Sequence, residues 1–540
     1  MKTNFIYLII LIILFSCKQE GTNEDVTEDE APVPYDYKVL DSQYINVDEL
    51  WKPFEKYWND FTEQDYNRVK PFIWEQNIPT LQRNISSGKI SYEELTLFYL
   101  YRIKKYDRNN DLSLNSVIAL NPNVVEEAKQ KDIELDNDEI KHPIFGMPIL
   151  LKDNINATGM STTAGAIVLA ENMTGDAFIT SQLKNRGALI LGKSNLSEWA
   201  YFFCGDCPSG YSAVGGQTLN AYGRAVLDTG GSSSGSGVAT SVNFAVATVG
   251  SETSGSILSP SSQNSIVGLK PTIGFLSRSG IVPISSTLDT PGPMTKNVID
   301  NAILLDAMKG YDSKDVLSFK TDTLAFNGEG LMKDPVEFIK GNRFGFIKSL
   351  MENPLYKQAV NALENSGAVL VEIEPERPRL NGFLTLLNID MRNDLPKYLS
   401  GFANKNITAS SVSDVIVYNK TDSLTTMPYG QKLFYGIVND PISDEDFVVL
   451  KDSLKIKGKQ FFDVPMEANN LDGILSINNY HAGFAAVAIY PAITVPMGYD
   501  KYNKPYGLTF ISPKGERELL QWAYGYEQIS LQRKTPAGYD

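Results

Sequence analysis

Two glycine-serine clusters constrain this chain more than any other feature. The first is Gly230-Gly231-Ser232-Ser233-Ser234-Gly235-Ser236-Gly237, and the second is Gly250-Ser251-Glu252-Thr253-Ser254-Gly255-Ser256. Between them, Val238 to Ala247 is small and apolar. It reads as a buried helix running into a strand, Ala245 to Val249, from which the second cluster breaks out at Gly250. Upstream, Ile144 to Leu151 reads as a strand with Lys152 at its end. The 540 residues include only two histidines, His142 and His481. A serine nucleophile here has few imidazoles to draw on, and a lysine in apolar surroundings is the alternative base.

The remaining pattern alternates short apolar strands with helices. Ser91 to Glu94 forms a capping box that opens an amphipathic helix to Tyr106, with Leu95, Phe98, Tyr99 and Ile103 on its apolar face. Ser116 to Leu120 reads as a strand, Val124 to Leu135 as a helix, Thr180 to Arg186 as a helix and Ala188 to Gly192 as a strand. Helices with long polar stretches dominate from about 310 to 465. Strands return at Ile474 to Ile477, Ala492 to Val495 and Tyr506 to Phe510, and a last helix spans Glu516 to Ile529. This order predicts an α/β fold, one large domain with a mixed sheet flanked by helices on both faces. No fixed-period repeat is present, which excludes a solenoid. The formal net charge of −15 argues against a nucleic-acid partner.

The first residues read as a targeting segment. Lys2 precedes an apolar run from Phe5 to Phe15 that is short for a membrane span. The run ends Leu14-Phe15-Ser16-Cys17, which resembles a bacterial lipobox. That resemblance implies a signal peptide over 1–16, lipidation of Cys17 and a place in the cell envelope, on the outer membrane at its periplasmic or surface face. Lys18 to Pro34 is rich in Glu, Asp, Thr and Pro and cannot bury a core. It reads as an acidic tether, drawn here over 17–45 with the folded domain over 46–540. The other cysteines, Cys204 and Cys207, leave three possibilities open: a local disulfide, free thiols or a redox pair. Two cysteines and two distant histidines make no zinc site. Neither a metal nor a cofactor is expected, and the oligomeric state is not legible.

Each cluster alone is a common kind of loop. The first lacks the Gly-Lys-Ser/Thr of a phosphate-binding loop. Taken with Pro148-Ile149-Leu150-Leu151-Lys152-Asp153-Asn154, the two clusters strongly resemble the amidase signature family. The likeness extends through Lys193-Ser194-Asn195-Leu196-Ser197-Glu198-Trp199, Gly215-Gly216-Gln217-Thr218, Val267-Gly268-Leu269-Lys270-Pro271-Thr272, Leu288-Asp289-Thr290-Pro291-Gly292-Pro293 and Pro491-Ala492-Ile493-Thr494-Val495-Pro496. It covers roughly residues 75 to 540 and is densest over 140–300. It is weakest at 310–465, the stretch expected to shape the substrate pocket.

The resemblance implies an amidase that cleaves a carboxamide C–N bond through an acyl-enzyme. Ser256 would be the nucleophile, Ser232 the bridging serine after a cis peptide bond from Gly231, and Lys152 the base. The backbone amides of Thr253, Ser254, Gly255 and Ser256 would form the oxyanion hole, with Gly230, Gly231 and Glu252 in support. Burial against Leu150 and Leu151 would favour the neutral lysine that a base requires. The chain departs from the usual family pattern at Glu252, where Asp is common, at Ser254, where Gly is common, and at Leu258, where many members carry Arg. Loss of that arginine argues against a small dicarboxylate half-amide. The form of both loops is most similar to the peptide amidase branch, whose members remove C-terminal amides of peptides. Three alternatives are weighed against it. One is a glutamyl-tRNA amidotransferase A-like subunit. Another is an α/β-hydrolase esterase, since Gly231 to Gly235 also satisfies Gly-x-Ser-x-Gly, with Ser233 as nucleophile, His481 as base and Asp472 as its partner. The third is a surface binding protein that keeps only the scaffold.

Overall fold

Strands that are apolar along their whole length must be covered on both faces, and here they share one sheet. The computed structural model describes residues 32–108, 110–135, 140–320 and 334–540. Its strands are β1 (Val117–Leu120), β2 (Pro148–Lys152), β3 (Leu189–Ser194), β4 (Tyr211–Ser212), β5 (Gly216–Gln217), β6 (Ala247–Glu252), β7 (Val267–Lys270), β8 (Thr290–Thr295), β9 (Arg343–Ile347), β10 (Val369–Ile373), β11 (Gly473–Ile477), β12 (Ala492–Tyr499) and β13 (Pro505–Ile511). Eleven of them form a mixed sheet in the order β1-β3-β2-β6-β8-β7-β12-β13-β11-β9-β10, and β4 and β5 form a separate hairpin. The expected α/β class with a single mixed sheet is what the chain adopts.

The part of the sheet that matters most for chemistry is the parallel trio β3-β2-β6. Every residue of these strands is buried. Parallel strands present their carboxyl ends on one edge, where α/β proteins place their ligands. Lys152 ends β2 and Glu252 ends β6, so the lysine motif and the second cluster emerge side by side.

Helices cover both faces. The helix Tyr92–Tyr106 carries the expected capping box, with Glu94 N–H donating to Ser91 Oγ at 3.0 Å and Ser91 N–H to Glu94 Oε2 at 2.9 Å. The helix after the first cluster spans Ser234–Ser241 rather than Val238 to Ala247. It starts inside the cluster because glycine and serine allow a close approach: a Cβ on Gly235 would fall 2.5 Å from the Asn195 backbone. It stops early because Asn243 turns left-handed, at φ 57°.

Two readings require correction. Residues 310–465 also contribute β9 and β10, a parallel pair that extends the sheet to its far edge. The tether does not reach residue 45. Tyr35 N–H donates to Ala225 O at 3.0 Å, Tyr35 OH to Leu227 O at 2.6 Å and Ser42 Oγ to Val214 O at 2.5 Å. Tyr35 and Val39 pack on the core, so chain with apolar side chains to bury docks onto it. The lipobox and Cys17 lie outside the described residues. Among the described residues no helix is long and apolar enough to cross a membrane.

A second apolar cluster sits over the loop edge. It joins the helices Phe383–Gly401, Val412–Asn419, Lys432–Asn439 and Asp444–Asn469 to Trp199, Phe202, Phe203 and Leu288. Cys204 and Cys207, in the same cluster, are joined as a disulfide.

Candidate active site

Lys152 is completely buried, and its amine has three acceptors for its three protons. Nζ donates to Ser232 Oγ at 2.7 Å, to Ser251 Oγ at 2.9 Å and to Ser251 O at 3.0 Å. Burial pushes the amine down to about 7, against the pull of the Asp289 and Glu252 carboxylates, which favour the charged form. A lysine so placed is partly neutral near pH 7, and its lone pair then faces the Ser232 hydroxyl.

Ser232 is held from several sides. The Gly231–Ser232 peptide is cis. The Ser232 carbonyl accepts from Ser197 N–H at 3.0 Å, and the following residue, Ser233, donates its N–H to Ser256 O at 3.2 Å. This last bond joins the two glycine-serine loops. Gly230 adopts φ +64°, and a Cβ there would fall 2.7 Å from the Pro260 backbone. A side chain is therefore excluded by both conformation and space.

The Lys193 to Trp199 motif supplies the scaffold behind these loops. Lys193 Nζ pairs with Asp153 Oδ1 at 3.1 Å, both fully buried, next in sequence to Lys152. Asn195 Nδ2 donates to Asn115 O, Gly216 O and Thr218 Oγ1 at 2.9 to 3.0 Å. Ser194 Oγ bonds Ser236 Oγ at 2.8 Å, tying β3 to the helix after the cluster.

Glu252 organises the loop that carries Ser256. Its carboxylate accepts from Gly255 N–H at 2.7 Å, Ile257 N–H at 2.7 Å and Leu258 N–H at 3.0 Å. The longer side chain at a position where the family commonly has Asp thus spans the whole turn. It also removes the Gly255 amide from the expected set of oxyanion donors. The amides of Thr253, Ser254 and Ser256 have no acceptor among the described residues. Thr253 is fixed instead through its side chain, which donates to Asp289 Oδ1 at 2.6 Å.

The Ser256 hydroxyl has no hydrogen-bond partner among the described residues, so the Lys152–Ser232 bond is formed while the Ser232–Ser256 bond is not. Catalytic hydrogen bonds commonly tighten only once substrate is bound. Three participants were missed from the sequence. Ser251 holds the lysine by backbone and side chain, Asn154 Nδ2 donates to Ser251 Oγ at 2.9 Å, and Asp289 holds Thr253. All three lie inside motifs already noted, but nothing in those motifs says which members face the lysine.

The esterase arrangement is not assembled. Ser233 Oγ donates to Ser251 O at 3.0 Å and is fully buried. His481 Nδ1 bonds Ser476 Oγ at 2.6 Å, its ring stacks on Phe461, and burial pushes it down to about 3. Asp472 instead accepts from Arg343 N–H at 2.7 Å and pairs with Lys514.

Comparison with known proteins places the chain in a family. Residues 94–423 match the Amidase family model. A probable amidase of Arabidopsis thaliana is 33% identical over 481 residues, spanning 86% of this chain and 92% of that protein. Among solved structures, an amidase family protein from Bacillus anthracis superposes with a TM-score of 0.87 at 34% identity, covering 94% of this chain and 99% of that one. The peptide amidase of Stenotrophomonas maltophilia superposes with a TM-score of 0.81 at 35% identity, covering 86% and 98%. The chain belongs to the amidase signature family and is a hydrolase acting on amides.

Proposed function

We propose that the protein hydrolyses a carboxamide to carboxylate and ammonia through Ser256, Ser232 and Lys152, and that C-terminally amidated peptides are its substrates. The observation that carries the mechanism is the 2.7 Å bond from buried Lys152 to Ser232. Neutral Lys152 takes the Ser232 proton as Ser232 takes that of Ser256. Ser256 attacks the amide carbon, and the free amides of Thr253, Ser254 and Ser256 receive the developing oxyanion. The same relay returns the proton to the nitrogen, because an amide anion is too basic to leave. Water then repeats the cycle on the acyl-enzyme. The peptide reading is supported by likeness to the peptide amidase and by Leu258, which offers no cation for a substrate carboxylate. The mature chain would work at the envelope, held by lipid on Cys17 and a short tether.

The test is independent of the exact substrate. Protein lacking the first 31 residues is treated with a fluorophosphonate, and the adduct is located by peptide mass spectrometry. Label on Ser256, lost in Lys152→Ala, is the expected result, with ammonia released from peptide amides without ATP or a partner protein. Label on Ser233 would refute the mechanism. Labelling of Ser256 without turnover of any peptide amide would refute the substrate class alone.

A further inference from the structure

Beside the base lies a small cavity of about 10 Å³, room for the centre of one water. Asn154, Ser251, Thr253, Val282 and Asp289 are among the residues lining it. Three groups there have unused hydrogen-bonding capacity. Ser251 Oγ accepts from Lys152 Nζ and from Asn154 Nδ2, both at 2.9 Å, which fills its two lone pairs and leaves its O–H without a protein acceptor among the described residues. Asn154 is 3% exposed and its Oδ1 is buried with no partner. Its orientation is fixed, because Nδ2 also points to Val282 O at 3.4 Å, an atom that can only accept. The Asp289 carboxylate accepts from Thr253 Oγ1, Ile284 N–H and Ser285 N–H, leaving about one of its four lone-pair sites. One donor and two acceptors around a water-sized space match the capacity of one water molecule.

We propose that this site holds a water that connects Lys152 to solvent, with Asp289 as the outer proton acceptor. The proposal rests on Lys152 being the base. In the transfer, a Lys152 ammonium proton passes to Ser251 Oγ as the Ser251 O–H proton passes to the water. The water gives one of its own protons to Asp289. Ammonium and carboxylate become amine and carboxylic acid, with charge conserved and no co-reactant consumed. Asp289 is half-buried whereas Lys152 is fully buried, so in this route Asp289 is the member nearer to bulk solvent. The energetics suit such a route. Burial pushes the Asp289 carboxyl up to about 6 and the Lys152 amine down to about 7, which favours the neutral form of each. The other charges nearby are engaged: Glu252 by three amides, Arg278 by Asp315, and Lys270 with Pro271 O at 3.4 Å.

Two measurements test this. A crystal structure that resolves ordered waters is expected to show one within hydrogen-bond distance of Ser251 Oγ, Asn154 Oδ1 and Asp289, and a dry site would overturn the proposal. In kinetics, Asp289→Asn is expected to lower kcat about tenfold or more below pH 7, and rising imidazole concentration at fixed pH and ionic strength should restore it. Asn154→Leu should show the same buffer dependence, while the unmutated protein should show none. An Asp289→Asn profile that only moves to lower pH, with no response to buffer, would make Asp289 a charge neighbour and sink the relay. Lys152→Ala separates the two levels. If it is inactive while the Asp289 and Asn154 variants behave normally, only the relay fails. If it stays active, the base assignment itself fails.

Discussion

Lys152 Nζ and Ser232 Oγ lie 2.7 Å apart, although 80 residues separate them in the chain. The contact joins the carboxyl end of a central parallel strand to the cis Gly231–Ser232 peptide. It takes place in full burial, and burial is what turns a lysine into a base near neutral pH.

The pH profile follows with a definite sign. Below about 7 Lys152 is protonated and cannot accept from Ser232. Because one proton must be lost, kcat/KM on a neutral amide should rise about tenfold per pH unit on the acid side and level off above about 7. A profile that falls with rising pH across this range would exclude a lysine base.

Glu252→Ala should destabilise the fold and depress activity together. It strands the N–H groups of Gly255, Ile257 and Leu258, and each buried unpaired donor costs about 1–3 kcal/mol. Denaturant unfolding should show a loss of about 3 kcal/mol or more. Unchanged stability would mean that water replaces the carboxylate.

Gly230→Ala tests the fit between the two serine loops. Its φ of +64° and the 2.7 Å approach to the Pro260 backbone make an added methyl both strained and blocked. A loss of about 1–3 kcal/mol is expected, with labelling of Ser256 reduced in the fraction that folds.

His481→Ala should lose stability and keep chemistry. The variant gives up the Ser476 bond and the Phe461 stack, worth about 1–3 kcal/mol together. Turnover by the folded protein should stay within a few-fold of the parent. An inactive, normally folded variant would return the histidine to the mechanism.

Acid stability should depend on Glu75. Burial favours its neutral form, but Arg533 at 2.9 Å outweighs this and holds the carboxyl at about 2. The folded value lies below the unfolded one, so the contribution is present above about 4.5 and is lost as pH falls towards about 2. A shift of that size corresponds to about 3 kcal/mol. Glu75→Gln should therefore unfold earlier at neutral pH and show a flatter acid limb. Identical acid transitions would disprove the pairing.

By itself the sequence determined the family, the mixed α/β class and the motifs within which the candidate site residues lie. Those properties are carried by local patterns: apolar runs at strand length, a capping box at Ser91, glycines where the backbone turns left-handed. Tertiary structure decided which hydroxyls face the lysine. Ser251 rather than a residue of the first cluster holds Lys152 alongside Ser232, because β6 runs parallel to β2 and delivers Ser251 to the same edge. It also decided that the Gly255 amide is spent on the Glu252 carboxylate. The edge pair β9 and β10 escaped the reading because β10 is largely exposed or half-buried and interrupts a helical stretch. Hydrogen bonds and buried charges that join segments far apart in the chain depend on tertiary packing, and no local pattern encodes them.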